Sequence, residues 1–126
     1  FLCGTTPTPL DKKGERRKDF AKVALGAEDT VAWEYFGSTY DCVSKLKNEG
    51  YYILAIEQDD TSVDYKEVNI EEKDNVAIIV GNEVDGITQD VIEISDVTVE
   101  IPMLGTKESL NVTIAFGIAA YRILGV

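Results

Sequence analysis

The sequence has 126 residues, of which 44% are hydrophobic and 28% charged, and its formal net charge is −11. A chain of this size can bury a core of its own, so its stability does not require a disulfide or a metal. The absence of histidine excludes Ser-His-Asp catalysis, Cys-His catalysis and imidazole-bound metals within this chain. We therefore expect no metal site, and we interpret Cys3 and Cys42 as reduced, buried thiols.

The N-terminal part of the chain is predicted to contain short elements of both kinds. Residues 1–4 have the pattern of a buried strand, and because the sequence opens inside this strand we expect further sequence before it. Helix signals are mixed over 14–25, and alternating apolar residues predict a strand at 30–36. A helix is then predicted to run over 38–48, where a glycine at position 50 would stop it.

The rest of the chain alternates strands and helices. The runs YYILAIE and NVAIIVG are apolar throughout, which is typical of strands covered on both faces, and the acidic segment between them predicts a loop or an edge element. The elements are predicted at these residues: strands 51–57, 75–81 and 96–101, and helices 89–94 and 109–124. This order predicts an α/β fold with a mostly parallel sheet flanked by helices, in a single domain spanning residues 1–126.

The final predicted helix is apolar on almost every side. One sheet can cover only part of such a surface, so we expect a second copy of the chain to cover the rest in a homodimer. The alternative is a central helix in an α/β sandwich. The apolar run of about 16 residues is too short to span a membrane, and no signal-peptide pattern is present, so we expect a cytoplasmic protein with no membrane partner.

Charge is distributed unevenly along the chain. Residues 1–22 contain six Lys or Arg and three Asp or Glu, a net charge of +3. Residues 23–126 contain six Lys or Arg and twenty Asp or Glu, a net charge of −14, and the two parts sum to −11. An acidic body repels a phosphate backbone, so composition alone argues against nucleic-acid binding. Any RNA partner is expected at the basic cluster, which we define as Lys12, Lys13, Arg16, Arg17 and Lys18.

Two stretches rich in glycine and polar side chains follow the ends of predicted strands, VGNEVDGIT at 80–88 and IPMLGTKESLN at 101–111. Ligands bind at such strand ends in open α/β sheets. Four side chains could present hydrogen-bonding groups to one crevice: Asn82, Glu83, Ser109 and Asn111. The alternative is ordinary turn chemistry with Ser109 as a helix N-cap.

The longer segments IIVGNEVDGIT and IPMLGTKESLNVTIAFGIAAYRIL resemble the second and third motifs of the SpoU/TrmH class of SPOUT methyltransferases, which methylate ribose 2′-hydroxyls in tRNA or rRNA. The upstream KVALGAEDTVAWEYF is similar to the family's segment between its first two motifs. The resemblance covers nearly the whole chain. It implies an RNA partner and a deep trefoil knot, in which the C-terminal segment threads a loop that includes the second motif, against the general rule that chains do not knot.

The resemblance also implies a cofactor, S-adenosylmethionine, bound in the knotted crevice. The positions that would bind it are Val80, Gly81, Asn82, Gly86, Ile101, Met103 and Leu110. The family's polar catalytic positions in the second and third motifs are matched by Glu83, Ser109 and Asn111.

The catalytic arginine of the family's first motif, N-x-x-x-x-x-R, has no counterpart in this sequence. None of Arg16, Arg17 and Arg122 lies in that context, and we expect the motif in sequence preceding residue 1. A ribose hydroxyl needs a base or a positive partner, so we expect the intact protein to be an enzyme and the 126 residues alone to methylate RNA poorly or not at all. The alternative is a non-catalytic, truncated SPOUT-like module for nucleotide binding or dimerisation.

Overall fold

The computed structural model describes residues 1–70, 73–107 and 109–125. The chain divides into two compact units, residues 1–42 and residues 43–126, and each is described by itself. Among the described residues, no helix is both long enough and apolar enough to cross a membrane.

The N-terminal unit is built around two short parallel strands. Its elements in chain order are strand β1 (Leu2–Cys3), helix α1 (Lys18–Ala24), helix α2 (Ala27–Thr30) and strand β2 (Tyr35–Phe36), and helix α3 (Thr39–Asn48) begins in this unit. The Tyr35 hydroxyl donates a hydrogen bond to the Gly4 carbonyl (2.7 Å), and the Phe1 and Phe36 rings meet edge to face with centroids 5.9 Å apart. The two strands are therefore held by side chains as well as by backbone pairing.

The strand predicted at 30–36 is correct only at its end. The first residue of the predicted strand belongs to helix α2, which ends with the Val31 N–H bonded to the Ala27 carbonyl. Only Tyr35 and Phe36 pair with β1. The alternation of Val31 and Trp33 misled the prediction because both side chains are exposed, at 64% and 37%. A strand can extend only as far as its partner, and β1 is two residues long.

A buried thiol lies in the same unit. Cys42 is 3% exposed, and both cysteines are free. Burial, together with the neighbouring Cys3, raises the pKa of the Cys42 thiol to about 12. Cys42 is thus a neutral, inert core residue rather than a nucleophile.

The C-terminal unit contains a four-stranded parallel sheet in the order β4-β6-β3-β5. Its elements are strand β3 (Tyr52–Ile56), strand β4 (Val63–Asp64), strand β5 (Val76–Val80), helix α4 (Gln89–Ile94), strand β6 (Val97–Glu100) and helix α5 (Val112–Leu124). Helix α3, which enters this unit, matches the predicted helix, and α4 and β6 also lie where predicted. The α/β fold with a mostly parallel sheet flanked by helices is confirmed.

Two of the strands show how position in the sheet decides burial. Strand β3 lies between β5 and β6, and its Ile53, Leu54 and Ala55 are fully buried, as its apolar run predicts. Strand β5 has an equally apolar sequence but forms an edge, and its last residue, Val80, is 40% exposed. The two-residue β4 forms the other edge, within the segment predicted as a loop or an edge element.

The carboxylate of Asp96 links three elements of this unit. One oxygen accepts the backbone N–H of Ile53 on β3 (2.7 Å), and the other accepts a hydrogen bond from the Lys47 ammonium (3.0 Å). Lys47 also donates to the carbonyl of Ile94 at the end of α4 (2.7 Å). The side chain therefore ties α3, β3 and the α4–β6 turn together.

Helix α5 begins three residues later than predicted. Its N-cap is Asn111, whose side-chain oxygen accepts the Thr113 N–H (3.0 Å), so the alternative that placed the cap at Ser109 is wrong. The helix buries Ala119 and Ile123 in a cluster with residues of β3 and β6. Ala120 is also buried, whereas five large apolar side chains of this helix are exposed: Ile114, Phe116, Ile118, Tyr121 and Leu124.

Candidate functional site

A cavity of about 560 Å³ lies where β3, β5 and β6 end. Parallel strands place their carboxyl ends at one edge of the sheet, which is where α/β folds bind ligands. The walls come from the ends of these strands, the loop after β5 and the start of α5. The side chains discussed below that line it are Glu57, Asp59, Val80, Asn82, Glu83, Asp85, Ile87, Glu100, Ile101, Ser109 and Leu110.

The loop after β5 is a closed turn organised by Asn82. The side-chain oxygen of Asn82 accepts the backbone N–H groups of Val84 (2.9 Å) and Asp85 (2.8 Å). Its carbonyl accepts the N–H of Gly86 (3.1 Å), and these two residues form an isolated bridge. For the Asn82 oxygen, the structure therefore shows turn chemistry, which shapes the cavity wall.

Steric and conformational constraints require both glycines of this loop. A Cβ atom on Gly81 would lie 2.3 Å from the carbonyl carbon of Gly86. Gly86 itself has φ +66°, a left-handed conformation that L side chains rarely adopt. Both predicted positions thus allow a backbone approach that other residues would prevent.

Glu57 is a cavity residue that the sequence analysis missed. It follows β3 directly, and its Oε2 atom accepts the backbone N–H of Ile87 (3.0 Å). Its Oε1 atom accepts the N–H of Gln58 (3.0 Å). The signal was available: the residue is an acid at the end of a buried parallel strand, the same position in the fold as the two stretches that were singled out.

The predicted stretch 101–111 contributes fewer groups to the cavity than expected. Ser109 and Leu110 line the cavity, as does Ile101 from the end of β6. Met103 and Asn111 are outside the lining, and the Asn111 side-chain oxygen is engaged in capping α5. The predicted stretch 80–88 contributes more, since its members Val80, Gly81, Asn82, Glu83 and Gly86 all line the cavity.

The cavity is electrostatically negative. The lining contains five carboxylates and, among the described residues, neither lysine nor arginine; the carboxylates are those of Glu57, Asp59, Glu83, Asp85 and Glu100. The Thr61 hydroxyl donates to Asp59 (2.6 Å) and holds the pKa of that carboxyl below its usual value, so it remains ionised at neutral pH. Such a wall favours a cationic ligand over an anionic one.

The basic cluster belongs to the N-terminal unit. Both of its arginines form ion pairs with acidic side chains of that unit. Arg16 pairs with Asp29 (2.7 Å) and Arg17 with Asp19 (2.5 Å), and hydrogen bonding to Arg17 lowers the pKa of the Asp19 carboxyl. The remaining members are Lys12, Lys13 and Lys18, which are exposed and have no ion pair in the part of the chain that the structure describes.

Residues 11–15, which carry the first two lysines of the basic cluster, form a hydrogen-bonded turn. The Asp11 side chain accepts the N–H groups of Lys13 (2.8 Å) and Glu15 (2.9 Å), and its backbone N–H donates to the Glu15 carbonyl (2.8 Å). Gly14, with φ +79°, closes the turn. The two lysines at 12 and 13 are therefore presented on a defined loop.

Comparison with known proteins gives one consistent result. Residues 8–121 match the sequence profile described as the SpoU rRNA Methylase family. The chain is 33% identical over 109 residues to the tRNA (guanosine(18)-2′-O)-methyltransferase of Escherichia coli K12, covering 86% of this chain and 47% of that protein. It is 34% identical over 109 residues to the 23S rRNA (guanosine-2′-O-)-methyltransferase RlmB of Neisseria meningitidis, covering 86% and 42%.

Solved structures share the fold. An AdoMet-bound rRNA methyltransferase from Sinorhizobium meliloti superposes with a TM-score of 0.82 at 24% identity, over 96% of this chain and 43% of that one. The chain spans about half the length of the curated relatives it matches. The shared region contains the cavity and its loops.

Proposed function

Because the chain belongs to the SpoU rRNA Methylase family, we propose that the intact protein transfers a methyl group from S-adenosylmethionine to a ribose 2′-hydroxyl of tRNA or rRNA. The observation that carries this proposal is the cavity at the strand ends, which is built from the same two stretches that resemble the family's motifs. The relatives named for 2′-O-methylation of tRNA and 23S rRNA support both substrate classes.

The cavity suits the proposed cofactor. Its volume of about 560 Å³ lies in the range of small-molecule sites, and the side chains of Val80, Ile101 and Leu110 offer an apolar wall. Gly81 and Gly86 would let the ligand meet backbone rather than side chains, with Asn82 holding that turn in shape. The proposed cofactor-binding set also includes Met103, which lies outside the cavity lining on the same strand-to-helix connection as Leu110. When bound, S-adenosylmethionine supplies the electrophilic methyl group.

The charge of the cavity separates this proposal from the non-catalytic alternative. S-adenosylmethionine carries a cationic sulfonium, which the five lining carboxylates favour. A nucleotide phosphate would instead face these acids without a lysine or arginine among the described lining residues. A nucleotide-binding module therefore fits this cavity less well than a methyltransferase does.

Three polar residues form the proposed catalytic face on this chain. Glu83 and Ser109 line the cavity, and Asn111 holds the start of α5, which forms one of its walls. We assign to Glu83 and Ser109 the orientation of ligand or substrate hydroxyls at the cavity mouth, since both are exposed. Asn111 acts through the position of the helix that it caps.

The RNA contact is proposed at the basic cluster. Lys12, Lys13 and Lys18 are its exposed cations, whereas Arg16 and Arg17 would have to exchange acidic partners for phosphates. Because the rest of the chain is acidic, this segment is where a negatively charged phosphate backbone would find positive charge.

The proposal extends to assembly and topology. We propose that residues 1–126 form one methyltransferase domain with the C-terminal trefoil knot, and that two cytoplasmic copies associate through α5. The exposed apolar residues of α5 support the dimer, because a surface of that kind is usually covered. An experimental structure in which 101–126 passes through no loop would contradict the knot.

The test uses the full-length protein, radiolabelled S-adenosylmethionine, and tRNA and 23S rRNA transcripts. We expect label in RNA, at a position that becomes resistant to alkaline hydrolysis because its 2′-hydroxyl is methylated. A substrate carrying 2′-deoxyribose at that position serves as the control and should accept no label. Calorimetry that detects no cofactor binding, or transcripts that remain unlabelled, would favour the non-catalytic module.

A further inference from the structure

Glu57 contacts the loop after β5 across the cavity wall. Its Oε2 atom accepts the N–H of Ile87 (3.0 Å), the last residue of the 82–87 turn, although the two residues are far apart in sequence. Ile87 is 8% exposed, so this amide has little access to water that could replace the carboxylate.

Glycine at position 86 makes the contact possible. A Cβ atom there would lie 2.4 Å from the Oε2 atom of Glu57. The Glu57 carboxylate therefore occupies the space that a side chain at position 86 would need, and it packs directly against the backbone of the turn.

The two ends of the turn are fixed by different residues. Asn82 organises its beginning through the amides of Val84 and Asp85, whereas Glu57 holds its end through Ile87. Glu57 is itself anchored, because its backbone N–H donates to the Val99 carbonyl of β6 (3.1 Å). The turn is thereby coupled to the strand ends that form the other cavity walls.

We propose that Glu57 is a positioning residue that holds the 82–87 turn in its ligand-binding shape. This inference rests on the proposed function for the identity of the ligand. The apparent affinity of a ligand falls with the fraction of protein in the competent conformation. Loss of the carboxylate would lower that fraction and weaken cofactor binding through the shape of the turn.

The experiment compares Glu57→Ala, which removes the acceptor, with Glu57→Gln, which keeps an acceptor oxygen at the same chain length. Glu67→Ala is the control, since Glu67 is an exposed acid outside the cavity lining. Calorimetry on the full-length variants gives the Kd for S-adenosylmethionine. Hydrogen exchange of the Ile87 amide, without cofactor, reports on the turn itself.

We expect Glu57→Ala to raise the Kd about tenfold or more and to speed exchange at Ile87, because it removes a hydrogen bond to a charged group. Glu57→Gln should stay within about threefold of the wild-type Kd and retain protection of Ile87. Glu67→Ala should change neither. If Glu57→Ala does not fold, Glu57→Met, which has similar length and no oxygen acceptor, takes its place.

Two results would overturn the proposal. One is a wild-type Kd or unchanged protection of Ile87 in the Ala variant. The other is an equal loss of affinity in the Gln and Ala variants with protection unchanged, which would mean that the carboxylate contacts the ligand itself. Failure of the wild-type protein to bind S-adenosylmethionine would instead contradict the proposed function, and exchange at Ile87 would still decide whether Glu57 holds the turn.

Discussion

At the scale of single residues, glycine at position 81 is required by the closeness of two backbone segments. We expect Gly81→Ala to weaken binding of S-adenosylmethionine by more than about tenfold, because the new Cβ would meet the Gly86 backbone at 2.3 Å and force the turn open. Calorimetry of cofactor binding measures the effect. Gly37→Ala is the matched control, since a Cβ there meets nothing within 4 Å. Equal affinities of the two variants would contradict the prediction.

Asn111 combines a proposed catalytic position with a helix cap. We expect Asn111→Ala to lower the free energy of unfolding by about 1 kcal/mol, since it leaves the Thr113 N–H without its acceptor. Asn111→Asp should retain stability, because a carboxylate also caps a helix and is favoured at its N-terminus. Denaturant unfolding checks both variants.

Methyl transfer by the Asp variant then separates the two roles of this residue. A fully active Asn111→Asp would show that the cap is what the reaction needs. An inactive but stable one would show that the amide itself takes part.

At the scale of elements, the Asp96 carboxylate joins α3 and β3 to the start of β6. We expect Asp96→Ala to cost about 1–3 kcal/mol of unfolding free energy, because the N–H of the fully buried Ile53 loses its partner. Asp60→Ala, at an exposed acid of the same unit, should change stability by less than about 0.5 kcal/mol. Denaturant titration of both variants provides the measurement, and similar midpoints would refute the role of the link.

The exposed face of α5 gives the test of the proposed dimer. Tyr121 is 68% exposed and lies beside Ile114 and Ile118 on successive turns. We expect Tyr121→Glu to shift the protein from dimer to monomer in sedimentation at micromolar concentration, since it places a charge in an apolar interface. Val23→Glu, at another exposed apolar residue, should leave the sedimentation unchanged. A wild-type monomer would contradict the interface.

Helices and strands were predictable where the pattern was local. The run 51–57 and the QDVIEI helix were placed correctly because burial and period suffice to define them. The exposure of β5 was not predictable, because an apolar run does not reveal whether its strand will lie at the centre or the edge of a sheet. The same limit hid Glu57, whose role depends on contact with a loop thirty positions away. Glycine and amide patterns did identify most of the cavity loop.

At the scale of the whole molecule, the proposed RNA contact rests on the uneven distribution of charge along the chain. We expect the double variant Lys12→Ala/Lys13→Ala of the full-length protein to bind its RNA more weakly and to show a flatter salt dependence, by about 0.7–0.9 in slope for each phosphate that the variant no longer neutralises. Filter binding between low and moderate salt measures this. Lys45→Ala, at a lysine already paired with Glu49, is the control. An unchanged slope in the double variant would place the RNA-binding surface elsewhere.

The parallel sheet also has a consequence for how the protein is made. Every described pairing in the sheet of the C-terminal unit is parallel, so none of its strand pairs can form as a local hairpin. Strand β3 emerges from the ribosome early but finds one neighbour only at residues 97–99. Until then its apolar edge is open to chaperones or to aggregation, and the cavity, which needs three strand ends, does not exist. Nascent chains stalled before β6 should therefore bind ribosome-associated chaperones and retain no cofactor.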